Sequence, residues 1–175
     1  DVERTIGEID PKIYGVFMEP IQISGRRGLP DSPQVNTLYG PLYDPASPLA
    51  DENGFKRNYI DAMKELKVTN IRWPGGNFVS GYNWKDGIGD QDRRPPRKNP
   101  AWTGVEHNDF GIDEFMEFCR ELGTDPYIAV NSGMGDATSA VEEVQYANGA
   151  TDTAQGKLRA ANGHPAPYGV RFWGV

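Results

Sequence analysis

The side chains that could do chemistry are few, and their spacing narrows them further. His107 and His164 stand alone, with no His-x-x-x-His pair or similar cluster, so their spacing does not indicate a catalytic metal. Cys119 is the only cysteine, which allows neither an internal disulfide nor a cysteine metal cluster. Gly133-Met134-Gly135 follows an apolar run as a phosphate loop would, but the rest of that spacing is missing. Lys85, Arg93, Arg94, Arg97 and Lys98 alternate with Asp86, Asp90 and Asp92 among prolines, the pattern of a solvated loop rather than a phosphate site. What remains is a set of polar residues placed just after apolar runs. Glu19 follows Ile13–Met18, Gly75-Gly76-Asn77 follows Val68–Trp73, and Asn131 follows Pro126–Val130. A carboxylate accepts hydrogen bonds, and a carboxamide both donates and accepts.

Such groups need a scaffold, and the hydrophobic pattern supplies one. Val2 to Ile9 reads as a short, half-polar strand broken by Asp10-Pro11, and Ile13–Met18 as a second. Phe55, Tyr59, Ile60, Met63 and Leu66 fall at helical spacing. Lys67–Trp73 reads as a strand stopped by Pro74-Gly75-Gly76. Ile112, Phe115, Met116, Cys119 and Leu122 trace a second helix that ends at Gly123, and Pro126–Val130 is a short apolar strand. Ala137–Ala147 predicts a third helix around Val141 and Val144, closed by Asn148-Gly149, with a short extra helix over 153–161. Tyr168–Val175 is the last strand candidate.

Strands alternating with helices imply a parallel sheet with crossover helices. The loops after strands are long and polar, whereas those after helices are as short as Gly123-Thr124-Asp125. In α/β sheets and barrels the site lies at the carboxyl ends of the strands, where the long loops are. Nothing after 168–175 covers the last strand, so the pattern predicts about half of an eight-stranded barrel. A complete small open sheet is the alternative.

Composition excludes other classes. The 175 residues carry 18 Lys and Arg against 25 Asp and Glu, a net charge of −7, which argues against nucleic-acid binding. No stretch approaches the length of an apolar membrane span. Gly and Pro number 21 and 14 but show no collagen period, so they mark loops. The start, Asp1-Val2-Glu3-Arg4, is neither an initiator methionine nor a signal peptide, and implies processing or a start inside a longer chain. A single cysteine leans toward a reducing compartment, the cytoplasm over secretion.

One stretch carries a specific resemblance. Arg72-Trp73-Pro74-Gly75-Gly76-Asn77-Phe78-Val79-Ser80-Gly81-Tyr82-Asn83-Trp84, with Asp86-Gly87-Ile88-Gly89 and Arg93-Arg94-Pro95 after it, resembles the α-L-arabinofuranosidases of glycoside hydrolase family 51. Ile9–Gly15, Ala101–Asn108, Ala129-Val130-Asn131, Ala161–Pro165 and Tyr168-Gly169-Val170 extend the similarity over nearly the whole chain, except residues 21–35. The resemblance implies an α/β fold: residues 11–175 as the N-terminal half of a (β/α)8 TIM barrel, and residues 1–10 as a strand given to a β-sandwich domain. Barrel strands would lie near 13–18, 68–73, 126–131 and 169–175.

The implied activity is retaining hydrolysis that releases terminal α-L-arabinofuranosyl residues from arabinan, arabinoxylan or arabino-oligosaccharides, with no cofactor. Endoglucanase or xylosidase action, or non-catalytic carbohydrate binding, are the alternatives. Trp173-Gly174-Val175 matches the start of the family's Trp-Gly-x-Gly-Asn-Glu acid/base motif. The acid/base and nucleophile glutamates are therefore expected beyond Val175, and this chain alone is expected to be inactive. The expected partners are the remaining half of the enzyme (a second chain, a cleavage product or a further segment), arabinofuranosyl saccharides, and other copies in a homo-oligomer of the complete enzyme. Neither nucleic acid nor a membrane is among them.

By the same resemblance Glu19, Arg72, Asn77 and Trp102 bind substrate. Glu19 and Asn77 would hydrogen-bond the furanose, Arg72 would pair with Glu19 or a catalytic carboxylate, and Trp102 would border the sugar. Asn131 and Asn108 would stand behind them, with Glu106 as a loop anchor. Pro20 departs from the family, which has His there, as does the segment 22–36 with Arg26-Arg27-Gly28. That segment is expected to be a solvated loop tip or to line a subsite. Trp73, Trp84 and Cys119 are expected in the core.

Overall fold

A computed structural model describes residues 4, 6–20, 42–99, 101, 102 and 105–175. Its elements follow the expected alternation. After a 3-10 turn at Pro11–Tyr14 come β1 (Val16–Phe17), α1 (Arg57–Glu65) and β2 (Asn70–Trp73). A long loop then carries three further 3-10 turns and a two-stranded hairpin, β3 (Arg97–Lys98) with β4 (Val105–Glu106). α2 (Ile112–Leu122), β5 (Asp125–Ala129), α3 (Ala137–Asn148), α4 (Ala154–Ala161) and β6 (Phe172–Gly174) complete the order. The main sheet is parallel throughout, in the order β1-β2-β5-β6. Each strand lies beside the next in sequence, the order of consecutive barrel strands.

Alternation along each strand sorts residues to two faces. Ile71, Trp73 and Ile128 are buried under the helices. Trp73 stacks on Phe115 of α2 at 5.2 Å, and Phe118 meets Phe55 at 5.5 Å. On the other face one row crosses the whole sheet in register: Phe17 beside Arg72, Arg72 beside Tyr127, Tyr127 beside Phe172. The hairpin and the 3-10 turns are structure that the loop reading of 75–108 did not contain.

The ends of the helices explain their bounds. Glu114 accepts a hydrogen bond from the Gly111 N–H at the start of α2, at 2.7 Å. Gly123, with φ of 67°, ends α2 in the left-handed region that favours glycine. Asp136 accepts from the Ser139 N–H at 2.7 Å, and the Thr153 hydroxyl from the Gly156 N–H at 3.1 Å, so α3 and α4 each have an N-cap.

Four sequence expectations need correction. The strand expected near 13–18 shrinks to two residues, because Pro11 and the Asp10 side chain, which accepts from the Lys12 N–H, begin a 3-10 turn. α3 does not bury Val141 or Val144: its inward face is Glu143, Tyr146 and Ala147, because Tyr146 packs on Trp84 at 5.3 Å. Leu66 lies beyond α1 and is exposed rather than part of its apolar face. The final strand is also shorter than 169–175. Arg4 and residues 6–10 pair with no strand among the described residues, and Ile6 and Ile9 are exposed. The segment 21–36, with Arg26-Arg27-Gly28, lies outside the described residues. No helix among the described residues is long and apolar enough to cross a membrane.

Buried polar groups tie the later elements together. Asp113 accepts from the hydroxyls of Tyr146 (2.8 Å) and Tyr168 (2.6 Å), and the Asn162 amide donates to the Tyr146 oxygen at 2.9 Å. The fully buried Arg159 guanidinium donates to the carbonyls of Tyr146, Gly149, His164 and Pro165, which fixes the turn after α4. At the other rim, Asp125 accepts from Lys12 and from Arg171, and the Lys12 hydrogen bond holds its carboxyl below the usual range.

Burial pushes the Glu143 carboxyl up to about 8 from 4.5, and burial likewise raises Asp113. Between about pH 4.5 and 8 the unfolded chain has lost the Glu143 proton while the folded chain keeps it. Stability is therefore fully present below that window and falls as pH rises through it. Glu143→Gln is expected to flatten this slope and to raise stability at pH 8 by a few kcal/mol. Urea denaturation at several pH values checks it; an unchanged slope rules the effect out.

Candidate active site

The carboxyl ends of the parallel strands bring the expected residues to one rim. Glu19 lies two residues beyond β1. Its Oε1 accepts the backbone N–H of Phe78 at 2.8 Å, which binds the end of the first strand to the loop after the second. Gly75 makes the approach possible. Its φ is +132°, and a Cβ there would sit 2.3 Å from the Glu19 Cγ. No side chain fits.

Arg72, the inward residue of β2, stacks its guanidinium 4.1 Å from the Phe17 ring centroid. Of the two partners expected for Arg72, Glu19 or a catalytic carboxylate, Glu19 forms no ion pair with it among the described residues. The two charged ends instead flank Gly76, with Glu19 Oε2 3.5 Å and Arg72 Nη2 3.6 Å from where a Gly76 Cβ would be. Arg72 Nε is buried without a hydrogen-bond partner among the described residues. Asn77 is the next residue, exposed at the rim, with its amide open to a ligand. These three side chains thus gather around one Gly-Gly turn.

Trp102 is half-buried, on the hairpin loop between β3 and β4. Its indole N–H is buried and unpartnered among the described residues, so the ring keeps an unused donor. Asn131 and Asn108 serve the backbone. Asn131 donates to the Tyr82 carbonyl at 2.9 Å and accepts from the N–H groups of Gly133, Met134 and Gly135, so the loop after β5 is fixed to the loop after β2. Asn108 is buried with φ of 61°, donates to the Pro95 carbonyl at 2.7 Å, and takes the Glu106 carboxylate on its own N–H at 2.9 Å. Trp73, Trp84 and Cys119 are buried, and burial pushes the Cys119 thiol up, away from reactivity.

Two residues went unrecognised in the sequence. Arg94 is not part of a solvated loop. It is 8% exposed and pairs with Glu114 at 2.8 and 3.1 Å, while also donating to the carbonyls of Gly89 and Asn108. Asn99 is buried, and its Oδ1 accepts the N–H groups of Ala101 and Trp102. The Asn99-Pro100 dipeptide was the available turn signal. Nothing in the composition around Arg94 distinguishes it from its exposed neighbours Arg93 and Arg97.

The α-L-arabinofuranosidase 1 domain family model matches residues 62–175, well over half of the chain. The chain belongs to the family 51 α-L-arabinofuranosidases. α-L-Arabinofuranosidase C of Emericella nidulans is 45% identical over 173 residues, covering 99% of this chain and 32% of that protein. The family 51 α-L-arabinofuranosidase of Thermotoga petrophila superposes with a TM-score of 0.85 at 44% identity, over 99% of this chain and 33% of that one. The Thermotoga maritima α-L-arabinofuranosidase in its arabinose complex superposes with a TM-score of 0.80 at 45% identity, over 93% and 31%. The chain therefore spans about a third of the length of these relatives, and the α/β fold with its parallel sheet is that of the N-terminal part of a family 51 enzyme.

The glycine constraint gives a direct test of the rim in the complete family 51 enzyme. Gly75→Ala would drive a methyl into the Glu19 side chain. It is expected to lower kcat/KM on an aryl α-L-arabinofuranoside about 100-fold, as a displacement of about 1 Å at a binding group can. Lys157→Ala, at an exposed position of α4, is the control expected to have no effect. Equal rates for both variants would remove Gly75 from the site.

Proposed function

We propose that this chain forms the sugar-binding half of the active site of a retaining exo-α-L-arabinofuranosidase. The observation that carries the reading is the Gly75-Gly76 turn. It packs directly on Glu19, sets Arg72 opposite, and leaves Asn77 exposed at the strand ends. A fixed carboxylate and a free carboxamide suit the neighbouring hydroxyls of a furanose ring. The Trp102 indole covers its apolar face. Asn131 and Asn108 hold the loops and touch no sugar.

The reaction needs two more carboxyl groups, about 5–5.5 Å apart in retaining enzymes. The acid/base and the nucleophile come from sequence outside residues 1–175, the acid/base following the Trp173-Gly174-Val175 motif. The nucleophile attacks the anomeric carbon while the acid protonates the leaving oxygen, and water then releases the sugar. Glu19 and Asn77 orient the ring throughout and strengthen their contacts as oxocarbenium character develops. Substrates are terminal arabinofuranosyl groups on arabinan, arabinoxylan or arabino-oligosaccharides. Residues 1–10, with Ile6 and Ile9 exposed, join a β-sandwich domain, and the complete enzyme assembles as a homo-oligomer.

The complete enzyme is expected to release arabinose from an aryl α-L-arabinofuranoside with retention of configuration, followed by proton NMR of the first product. Glu19→Ala is expected to reduce kcat/KM at least 100-fold, and residues 1–175 alone to show no turnover. Turnover by residues 1–175 alone, or a preference for aryl xylosides or β-glucan in a substrate panel, overturns the reading.

A further inference from the structure

We propose that Asn99 is a positioning residue that sets Trp102 against the Glu19 rim; this rests on the reading of Trp102 as the residue that covers the sugar. Asn99 is 2% exposed, so its amide is out of water and must be satisfied by protein. Its Oδ1 accepts two consecutive turn donors, the N–H of Ala101 at 3.0 Å and of Trp102 at 2.7 Å. Its Nδ2 points the other way and donates to the Pro20 carbonyl at 3.4 Å. Pro20 is fully buried and directly follows Glu19. One planar amide thus spans two segments 79 residues apart in sequence. Its oxygen shapes the turn that carries the indole, and its nitrogen fastens that turn to the segment carrying the carboxylate.

The three bonds differ in weight. The Oδ1 contacts are short and fix the backbone at Trp102 itself, whereas the contact to Pro20 is long. Trp102 has no hydrogen bond from its own indole to hold it among the described residues. Its orientation therefore depends on its backbone, and its backbone on Asn99. A furanose seated by Glu19 and Asn77 meets the indole face only while this turn persists. Asn99 touches no sugar: it acts through Trp102.

The test is a double-mutant cycle in the complete enzyme with an aryl α-L-arabinofuranoside, paired with hydrogen exchange of the ligand-free protein. Asn99→Ala is expected to raise KM about 10-fold with a smaller change in kcat, and to abolish exchange protection at the Ala101 and Trp102 amides. Trp102→Ala is expected to raise KM similarly, and adding Asn99→Ala to it to cost less than 2-fold more. Asn99→Asp keeps both turn acceptors but replaces the Nδ2 donor with a carboxylate oxygen facing the Pro20 carbonyl, so retained exchange protection and a KM between those of the parent and Asn99→Ala are expected; this variant also answers a failure of Asn99→Ala to fold. Additive losses in the cycle, or an Asn99→Asp enzyme as impaired as Asn99→Ala, overturn the positioning role. An unchanged KM in Trp102→Ala overturns the reading of Trp102 and the proposal with it. That outcome is separable, because the exchange data report the Asn99 turn independently of any sugar.

Discussion

The buried Arg94–Glu114 pair is the constraint on which the rim depends. The loop between β2 and α2 carries Asn77, Asn99 and Trp102, and it is too long to be held by its ends alone. Arg94 holds it from within, with the Gly89 and Asn108 carbonyls on one side and the Glu114 carboxylate on the other. Glu114 also caps α2 through the Gly111 N–H and accepts from Gln91. One carboxylate therefore fixes both where the helix begins and where the loop must pass. A charge removed from water needs such complete hydrogen bonding, and losing either partner would leave the other buried and unpaired.

The sheet contributes the complementary constraint. Because the strands are parallel and in register, the residues just past their carboxyl ends converge without any special loop design. Glu19 reaches the backbone of Phe78 across two adjacent strands, and Asn131 reaches Tyr82 across the next pair. Chemistry at this rim is distributed over segments far apart in sequence, each contributing one or two groups.

Much of this was legible in the sequence, for physical reasons that differ by element. α2 shows a clean apolar stripe and a terminal glycine, so its bounds could be read directly. The strand order followed from the alternation of apolar runs with helices. α3 misled because its valines suggested a buried face, while Tyr146 buries more surface and carries the Asp113 hydrogen bond, so it turned the helix. Pattern cannot rank a large amphipathic residue against two small apolar ones. The positions of Asn77 and Glu19 beside the Gly-Gly turn were legible through the motif around them. Arg94 and Asn99 were not, because their roles rest on backbone carbonyls and N–H groups supplied by turns that no periodicity encodes. Of the two partners expected for Arg72, Glu19 does not form an ion pair with it; its guanidinium lies against the Phe17 ring instead.

The Lys12–Asp125–Arg171 contact at the opposite rim also matters. Lys12 precedes β1 and Arg171 precedes β6, the two outer strands of the sheet, and Asp125 sits between them at the start of β5. This charge cluster strengthens as Asp125 ionises and weakens in acid, because its carboxyl is held low. The buried acids Glu143 and Asp113 behave in the opposite sense. The two dependences oppose one another across the same molecule, one fading below the carboxylate range and the other fading above it. Acid and alkali therefore loosen different parts of the chain: the Lys12–Asp125–Arg171 rim gives first in acid, and the interior of α3 around Glu143 gives first as pH rises.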